Sequence, residues 1–168
     1  MADADQPQIV PVANWDMLAW LWQAYRTDMA PYVNGLPYAD GRYAHGPLDA
    51  YPAPDREGWL ALLPHPNSGE PAPVGFGLVA GLGGARRTVD AFWVASTMRR
   101  TGLGRHFALD LISRFDGPWE IAFQHENVAA GHFWRAVAQA AFGDAWTEER
   151  RPVPHRPQVP SDHWIIST

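Results

Sequence analysis

Two glycines one residue apart, Gly102 and Gly104, separate a pair of arginines from an apolar stretch with helical spacing. The first amides of a helix have no partner within the helix, and the helix dipole adds partial positive charge there, so this helix entrance suits an anion. Glycine lets the anion approach the backbone closely. Five of the arginines lie within the same twenty residues: Arg86, Arg87, Arg99, Arg100 and Arg105. Together these arginines and the helix amides predict a phosphate site, and the expected ligand is a diphosphate.

The residue types that the chain lacks argue against some classes of phosphate-containing ligand. The dinucleotide-binding fingerprint needs a third glycine where Phe107 stands, and a P-loop needs a lysine, of which the chain has none. The absence of lysine also excludes Schiff-base chemistry. The absence of cysteine excludes disulfides, thiolate metal sites and cysteine nucleophiles. Nicotinamide-dependent and simple ATP-dependent chemistry are therefore disfavoured.

Length and composition predict one domain, residues 1–168, with a hydrophobic core. The net charge of −5 gives no reason to expect a nucleic acid or an anionic membrane as partner. The amino terminus opens with acidic residues and lacks a signal pattern, and no apolar run approaches the ~18 residues that span a membrane. We therefore expect a soluble, cytoplasmic protein.

The elements that position the glycines begin with a helix. Apolar residues recur every three or four positions over residues 14–29, which predicts a helix with Asn14 as its cap. Residues 31–58 mix proline, glycine and aromatic residues without a period, which predicts a long loop with at most a short helical turn. Such a loop is either a packed crossover or one wall of a substrate site. Three strands joined by hairpins follow, at residues 59–63, 73–82 and 88–95.

The second half of the chain is predicted to carry a strand–helix–strand unit. The helix after the glycines runs to Phe115, and residues 119–124 predict another strand. Because the two strands and the helix lie within about 35 residues, the strands should be parallel and adjacent. Residues 99–105, the glycine turn, then lie where the first strand passes into the helix. A further helix follows Asn127, and two closing strands are predicted at residues 144–150 and 162–167.

Two segments resemble a known family. Arg99-Arg100-Thr101-Gly102-Leu103-Gly104 matches the R/Q-x-x-G-x-G/A signature of the GNAT superfamily of N-acetyltransferases, between a strand and a helix as in that superfamily. The segment ENVAAGHFW, with Asn127 at the start of a helix, resembles the superfamily's next segment, and the two together cover residues 73–142. Further stretches, LWQAYRTDM, ADGRY and FW, are similar to a small bacterial subgroup of predicted acetyltransferases. The resemblance implies an α/β (α+β) fold: a mixed, mostly antiparallel sheet with a central, splayed pair of parallel strands and flanking helices.

The resemblance also implies a cofactor, acetyl-CoA. In the superfamily the backbone amides of the glycine turn bind the pyrophosphate, and the preceding strand supplies an amide, here that of Val94, to the thioester oxygen. Asn127 then bonds the pantetheine arm or orders the cleft, and a plain helix cap is an equal alternative. The cofactor-binding residues implied are Val94, Arg99, Arg100, Thr101, Gly102, Leu103, Gly104, Arg105, Asn127 and Trp134.

Direct attack of an amine on the thioester needs a group that removes a proton and a group that protonates the leaving thiolate. On a regular strand Asp90 shares the face of Val94, so we expect it to point toward the same cleft as a base. Glu120 and His125, with Glu126, flank the second cleft strand and are further candidates for a base that acts through water. Each of these residues also has a structural explanation as a solvated or turn-bonded group.

Trp134 departs from the superfamily, in which many members carry a tyrosine at this position as general acid toward the thiolate. An indole N–H is not a useful acid at physiological pH. Either another group or water then protonates the thiolate, or the activity is weak or absent. Packing in the core is the alternative explanation for Trp134. His125 and His132 have no nearby carboxylate that would complete a zinc site, so we expect no metal.

The leading hypothesis is acetyl-CoA-dependent transfer of an acetyl group to a primary amine of a small molecule or of a protein. The alternative is a non-catalytic CoA-binding or protein-interaction module on the same fold, and a third reading is a binding domain without a cofactor. The sequence does not name the acceptor. The oligomeric state is open, and a symmetric homodimer through the closing strands is the arrangement that we expect.

Overall fold

A computed structural model describes residues 6–33 and 35–168, which form a seven-stranded sheet flanked by three α-helices. The strands are β1 (Gln8–Pro11), β2 (Arg56–Pro64), β3 (Pro71–Ala80), β4 (Arg87–Val94), β5 (Trp119–Phe123), β6 (Trp146–Arg151) and β7 (Asp162–Ser167). The helices are α1 (Trp15–Val33), α2 (Leu103–Ser113) and α3 (Val128–Phe142), and a short 3₁₀ turn lies at Gly46–Ala50. Within these residues no helix has both the length and the apolar character that crossing a membrane requires.

The strand order is β1-β2-β3-β4-β5-β7-β6, and β4–β5 is the parallel pair. Each of the other neighbouring pairs is antiparallel. The predicted meander of β2, β3 and β4 and the predicted parallel βαβ unit are both confirmed. The mixed, mostly antiparallel architecture expected from the sequence is therefore the observed one.

The helices cover both faces of the sheet. On the α1 face, Leu18 and Trp22 of α1 pack against Phe76 and Ala91 of the sheet. On the opposite face, the α2–α3 face, two clusters bury the helices against the strands. Buried residues of the larger cluster include Leu111, Val137, Ile121 and Ile165. These two layers cover β4 and β5, and the end at which the two strands pair is called the closed end below.

The parallel strands β4 and β5 pair over two positions only. Arg87 is registered with Trp119, and Thr88 with Glu120. Directly after this closed end β4 contains a β-bulge, because Leu78 is registered with Ala91 and the next residue, Val79, with Val89. Asp90 is therefore the extra residue of the bulge. Beyond Thr88 the two strands run on without pairing, and the space between them is called the gap below.

Some boundaries differ from the sequence prediction. Strand β2 begins at Arg56, inside the segment predicted as a loop, and β1 was missed altogether. A four-residue edge strand is too short to display a two-residue period, and it is paired on one side only, by β2. Helix α1 begins as predicted, with the Met17 amide donating to Asn14 Oδ1 at 2.9 Å, but continues to Val33.

Candidate active site

Val94, the last residue of β4, borders the gap. Its neighbour Ala95 donates its amide to the Val74 carbonyl of β3 at 2.8 Å. In an antiparallel pair, consecutive residues direct their backbone groups alternately toward the partner strand and away from it. The N–H and C=O groups of Val94 are therefore directed away from β3, into the gap that β5 leaves open.

His125 lies across the gap at the level of Val94. Val94 lies six residues after Thr88, which is paired with Glu120, and one of these six is the bulge residue. Val94 is therefore level with the fifth residue after Glu120. That residue is His125 (120 + 5), two positions beyond the end of β5. Phe123, two residues before it, is buried in the α2–α3 face, and the ring of His125 lies on the same side.

The glycine turn closes the mouth of the gap on the β4 side. Its backbone bends sharply, with Gly102 at φ +93° and Arg100 at φ +65°. Residues other than glycine rarely adopt such backbone angles. Nothing lies within 4 Å of the position that a Cβ on Gly102 would take. The first helical bond of α2 runs from the His106 amide to the Gly102 carbonyl at 3.0 Å. The amides of residues 103–105 therefore precede the helical ladder and are suited to an anion.

The arginines predicted to surround this turn divide between the two ends of β4. Arg100 and Arg105 are exposed at the turn. Arg86 and Arg87 lie at the closed end, where Arg86 donates to the Ser167 carbonyl at 2.9 Å and Arg87 to the Gly84 carbonyl at 3.0 Å. Seven residues of strand separate Arg87 from Val94, on the order of 23 Å. The five arginines therefore do not form one cluster of positive charge at the turn, because residues that are neighbours in the sequence lie far apart along a strand.

Arg99 points its side chain toward α1 and not toward the α2 amides. Its guanidinium forms an ion pair with Asp28 and donates from Nε to the Val94 carbonyl at 2.9 Å. Trp93 Nε1 donates to the same Asp28 carboxylate at 2.9 Å. Arg99 therefore clamps the glycine turn and the end of β4 to the last third of α1.

Asp90 does not share the face of Val94, contrary to the sequence expectation. The bulge inserts one residue and reverses the alternation, which turns Asp90 toward the α1 face. There Asp90 accepts hydrogen bonds from Tyr51 Oη (2.9 Å), Arg56 Nη1 (3.1 Å) and Thr88 Oγ1 (3.1 Å). Three donors occupy its carboxylate, and Val94 is on the order of 13 Å further along the strand. The geometry supports a structural role for Asp90.

Glu120 also lies at the closed end. Its oxygens accept bonds from Arg151 at 3.1 and 3.3 Å, and Arg86 lies 3.6 Å away. Glu120 is registered with Thr88, five residues before the level of Val94. Of the four predicted acid–base candidates, His125 and its neighbour Glu126 are the two that lie beyond the end of β5, at the open end.

The remaining predicted cofactor residues lie along the glycine turn and α3. The Asn127 side chain caps α3, accepting from the Ala130 amide at 3.1 Å, and its Nδ2 lies 4.0 Å from Met29 Sδ. The Thr101 hydroxyl donates to the Met98 carbonyl at 2.8 Å, and Leu103 is buried in the core. A Cβ on Gly104 would lie 3.5 Å from Phe133 and from Val94, an ordinary contact.

Trp134 is a core residue. It is 7% exposed, and its ring makes an edge contact with Phe92 at 5.3 Å between centroids. Phe133, next to it, stacks on Phe92 at 5.6 Å between centroids. The packing alternative for Trp134 is therefore the one that the structure supports.

A row of hydrogen bonds between polar side chains, which the sequence analysis missed, begins at His125. His125 Nδ1 lies 3.0 Å from His163 Nε2, and His163 Nδ1 lies 2.5 Å from Glu148 Oε1. Glu148 in turn accepts two bonds of 2.8 Å from Arg135. The bonds to Arg135 and His163 hold the pKa of Glu148 down at about 2, against the smaller opposing effect of burial. The alternation of His163 with the buried Ile165 in β7 was the available signal, but the pairing of β5, β6 and β7 was not readable from sequence.

Two further features border the turn. A cleft of about 700 Å³ flanks it on the side of β1 and β2. Its lining residues are Gln6, Pro7, Leu63, Pro64, Met98, Thr101, Gly102, Leu103 and His106. In the part of the chain that the structure describes, no three histidine, aspartate or glutamate side chains are arranged to hold a metal ion.

Comparison of the whole fold with solved structures gives full-length matches. A GNAT-family acetyltransferase from Staphylococcus aureus matches with a TM-score of 0.63, 13% identity, and coverage of 96% of this chain and 98% of that one. An acetyltransferase from Thermus thermophilus matches with a TM-score of 0.65, 16% identity and coverage of 96% of both chains. The chain has the GNAT N-acetyltransferase fold. Arabidopsis thaliana NAA60, solved in complex with acetyl-CoA, has the same fold, with a TM-score of 0.64, 13% identity, and coverage of 96% of this chain and 97% of that one.

Sequence comparison adds no closer relative to these GNAT structures. No protein-family profile matches the chain, and no curated protein matches it. The GNAT fold of this chain therefore rests on the comparison of whole structures.

Proposed function

We propose that this chain transfers an acetyl group from acetyl-CoA to a primary amine. The observation that carries the proposal is the gap itself: two parallel strands that separate after two paired residues, with the Val94 amide directed between them and the glycine turn at the mouth. That arrangement provides an opening for a thioester arm and amides for its diphosphate in one continuous site. The solved structure with acetyl-CoA bound supports the choice of carrier.

The residues present fit that carrier. The amides of residues 103–105 and the exposed Arg100 and Arg105 would hold the diphosphate, and the Val94 amide would hold the thioester oxygen. A single preorganised donor of this kind contributes on the order of 3 kcal/mol to lowering a barrier. Acetyl-CoA, when bound, supplies the activated acetyl group, and the chain positions the amine and moves the protons.

The acceptor would approach where α1 ends. Asp28 and Met29 of α1 contact Arg99 and Asn127, which lie on the two sides of the gap. Arg156, in the connection between β6 and β7, donates to the Val33 carbonyl at 3.2 Å and closes this region from the other side. We assign the acceptor only to the class of primary amines, of a small molecule or of a protein.

A non-catalytic CoA-binding module is the second candidate, and the burial of Trp134 favours it. Trp134 stands at the position for which the resemblance to the superfamily implies a proton-donating tyrosine, and its indole packs in the core. The two candidates differ in turnover and not in binding.

The test is acetyl-CoA binding by calorimetry followed by an amine panel with thiol detection. Gly104→Asp introduces a charge and a side chain at the site of the diphosphate, whereas Gly104→Ala adds a Cβ that the packing tolerates. We expect wild type and Gly104→Ala to bind and Gly104→Asp not to bind. CoA release that depends on an amine supports acetyl transfer; binding without release supports the second candidate; and no binding by wild type refutes both.

A further inference from the structure

We propose that His125 is the catalytic residue that carries the proton from the attacking amine to the leaving sulfur, and that His163 and Glu148 position it for that task. This inference rests on the proposed acetyl transfer. It assigns the proton donor that the burial of Trp134 leaves open.

The first step is the geometry of the two imidazoles. Their planes lie 4° apart and their centroids are 5.3 Å apart, while His125 Nδ1 and His163 Nε2 approach to 3.0 Å. Rings so arranged meet edge to edge, nearly in one plane, which is the geometry of a hydrogen bond between ring nitrogens. His163 is held in this plane, since it also lies parallel to Phe123 at 4°.

The second step is the direction of each bond. Glu148, bonded by Arg135, is an ionised carboxylate and can only accept. His163 must therefore carry its proton on Nδ1 and donate it to Glu148. In neutral His163 the other nitrogen, Nε2, then accepts, so His125 must donate from Nδ1.

The consequence concerns the far side of the His125 ring. With the proton on Nδ1, neutral His125 has an unprotonated Nε2. His125 is exposed, and the register counted from the Thr88–Glu120 pair puts its backbone at the level of Val94. When Nε2 takes up a proton, the imidazolium keeps its Nδ1–H bond to His163, whose own bond to the Glu148 carboxylate stabilises the added positive charge.

The reaction balances with this one group. The amine nitrogen forms a bond to the acetyl carbon and loses a proton to Nε2, the carbon–sulfur bond breaks, and the same proton passes from Nε2 to the sulfur. No oxidant, reductant or further proton donor is needed. An imidazole is suited to both transfers because one ring nitrogen can accept a proton and later release it.

His125, His163 and Glu148 are together called the relay. Other charged groups surround the relay and contribute to the pH dependence of the proton transfer. Arg150 is registered with His163, and Asp162 precedes His163 in β7. Burial raises the pKa of Asp162, and Arg156 lies close enough to lower it in part. The charged groups on the elements around the two histidines are Glu148 and Arg150 of β6, Arg135 of α3, Asp162 of β7, Arg156 of the β6–β7 connection, and Glu126 beside His125.

A spectroscopic test needs neither acetyl-CoA nor turnover. Long-range ¹H–¹⁵N correlation of the imidazole nitrogens, assigned by the loss of signals in His125→Gln and His163→Gln, reports which nitrogen carries the proton. We expect the Nδ1–H form for both histidines in the neutral wild type, and loss of that preference at His125 in His163→Gln. An Nε2–H form of neutral His125 overturns the proposal.

The kinetic test compares His125→Gln with His132→Gln, an exposed histidine of α3 outside the relay. We expect His125→Gln to lower kcat about 100-fold, to leave the Kd for acetyl-CoA within about twofold, and to lose the acidic limb of the pH profile. The His132→Gln variant should keep all three. We expect His163→Gln, checked for folding by circular dichroism, to lower kcat less, about tenfold, and to shift that limb. Added imidazole should restore part of the activity of His125→Gly.

The outcomes separate the two proposals. A wild type that turns over an amine while His125→Gln keeps its rate and pH profile overturns the relay and leaves acetyl transfer standing. A wild type that releases no CoA with any amine overturns the acetyl transfer itself, and the catalytic role of His125 with it.

Discussion

Tyr51 donates its hydroxyl proton to Asp90 over 2.9 Å, and this bond ties the segment before β2 to the bulge of β4. Burial, with the adjacent Asp90 carboxylate, raises the pKa of the Tyr51 hydroxyl well above its usual range, so Tyr51 stays a donor. Arg56 and Thr88 complete the set of donors to Asp90. The bulge that turns Asp90 away from the gap is thus held by its own side chain.

Replacing Asp90 by asparagine should affect stability and not cofactor affinity. In Asp90→Asn the amide keeps the shape of the carboxylate and loses the charge that Arg56 and Tyr51 bond, at a cost of about 2 kcal/mol in the free energy of unfolding. Urea unfolding measures this, with Asp116→Asn, at an exposed aspartate, as the control. A loss of kcat without a loss of stability would return Asp90 to the proton-transfer machinery.

Glu148 should make the protein sensitive to acid. Its folded pKa of about 2 lies below the value of 4.5 for a free glutamate, so its contribution is fully present above about pH 4.5 and is lost as the pH falls through about 2. Solvent screens this exposed pair with Arg135, so its contribution at neutral pH is about 1 kcal/mol. Urea unfolding between pH 6 and pH 2 should therefore show a flatter acid limb for Glu148→Gln than for wild type. Glu70→Gln, at an exposed position, should keep the wild-type slope.

The two glycines of the turn should respond oppositely to alanine. Gly102 has φ +93°, so Gly102→Ala places a side chain in the left-handed region and costs about 1–2 kcal/mol, although the space is open. Gly104 is helical and the added Cβ makes ordinary contacts, so Gly104→Ala raises stability by up to about 1 kcal/mol. Thermal unfolding of the two variants measures the difference. Equal effects would mean that Gly102 is not held in its left-handed conformation.

Trp134 should be replaceable without loss of catalysis. Trp134→Phe leaves part of the space against Phe92 empty and should lower the free energy of unfolding by about 1–3 kcal/mol. We expect kcat to change less than about threefold in that variant, because the indole packs in the core and is no proton donor at neutral pH. Steady-state kinetics at a temperature well below unfolding provides the measurement. A fall in kcat comparable to that of His125→Gln would contradict the packing role.

Much of the fold was readable from the sequence because its signals are local. The periodic helix after Asn14, the meander of three strands and the βαβ unit around the glycine turn each depend on residues within about 35 positions of one another. The left-handed Gly102 is also a local property, since a glycine before a helix is what such a turn requires. Strand β1 failed this test because four residues carry no period.

The candidate site depended more on tertiary structure. Period-two alternation places Asp90 beside Val94, but a single bulge residue reverses it, and a bulge is set by the pairing of β4 with β3. In the same way, arginines that are close in the sequence are carried to opposite ends of β4.

By itself the sequence determined the parallel unit, the anion-suited turn at its junction and the absence of cysteine and lysine chemistry, because propensity, capping and composition act over short distances. The tertiary structure alone decided that β4 and β5 separate beyond Thr88 and that His125, His163 and Glu148 form a continuous row of hydrogen bonds. Those contacts join residues 38 and 15 positions apart in the chain, and the register of such pairs follows from the packing of the whole sheet against α3.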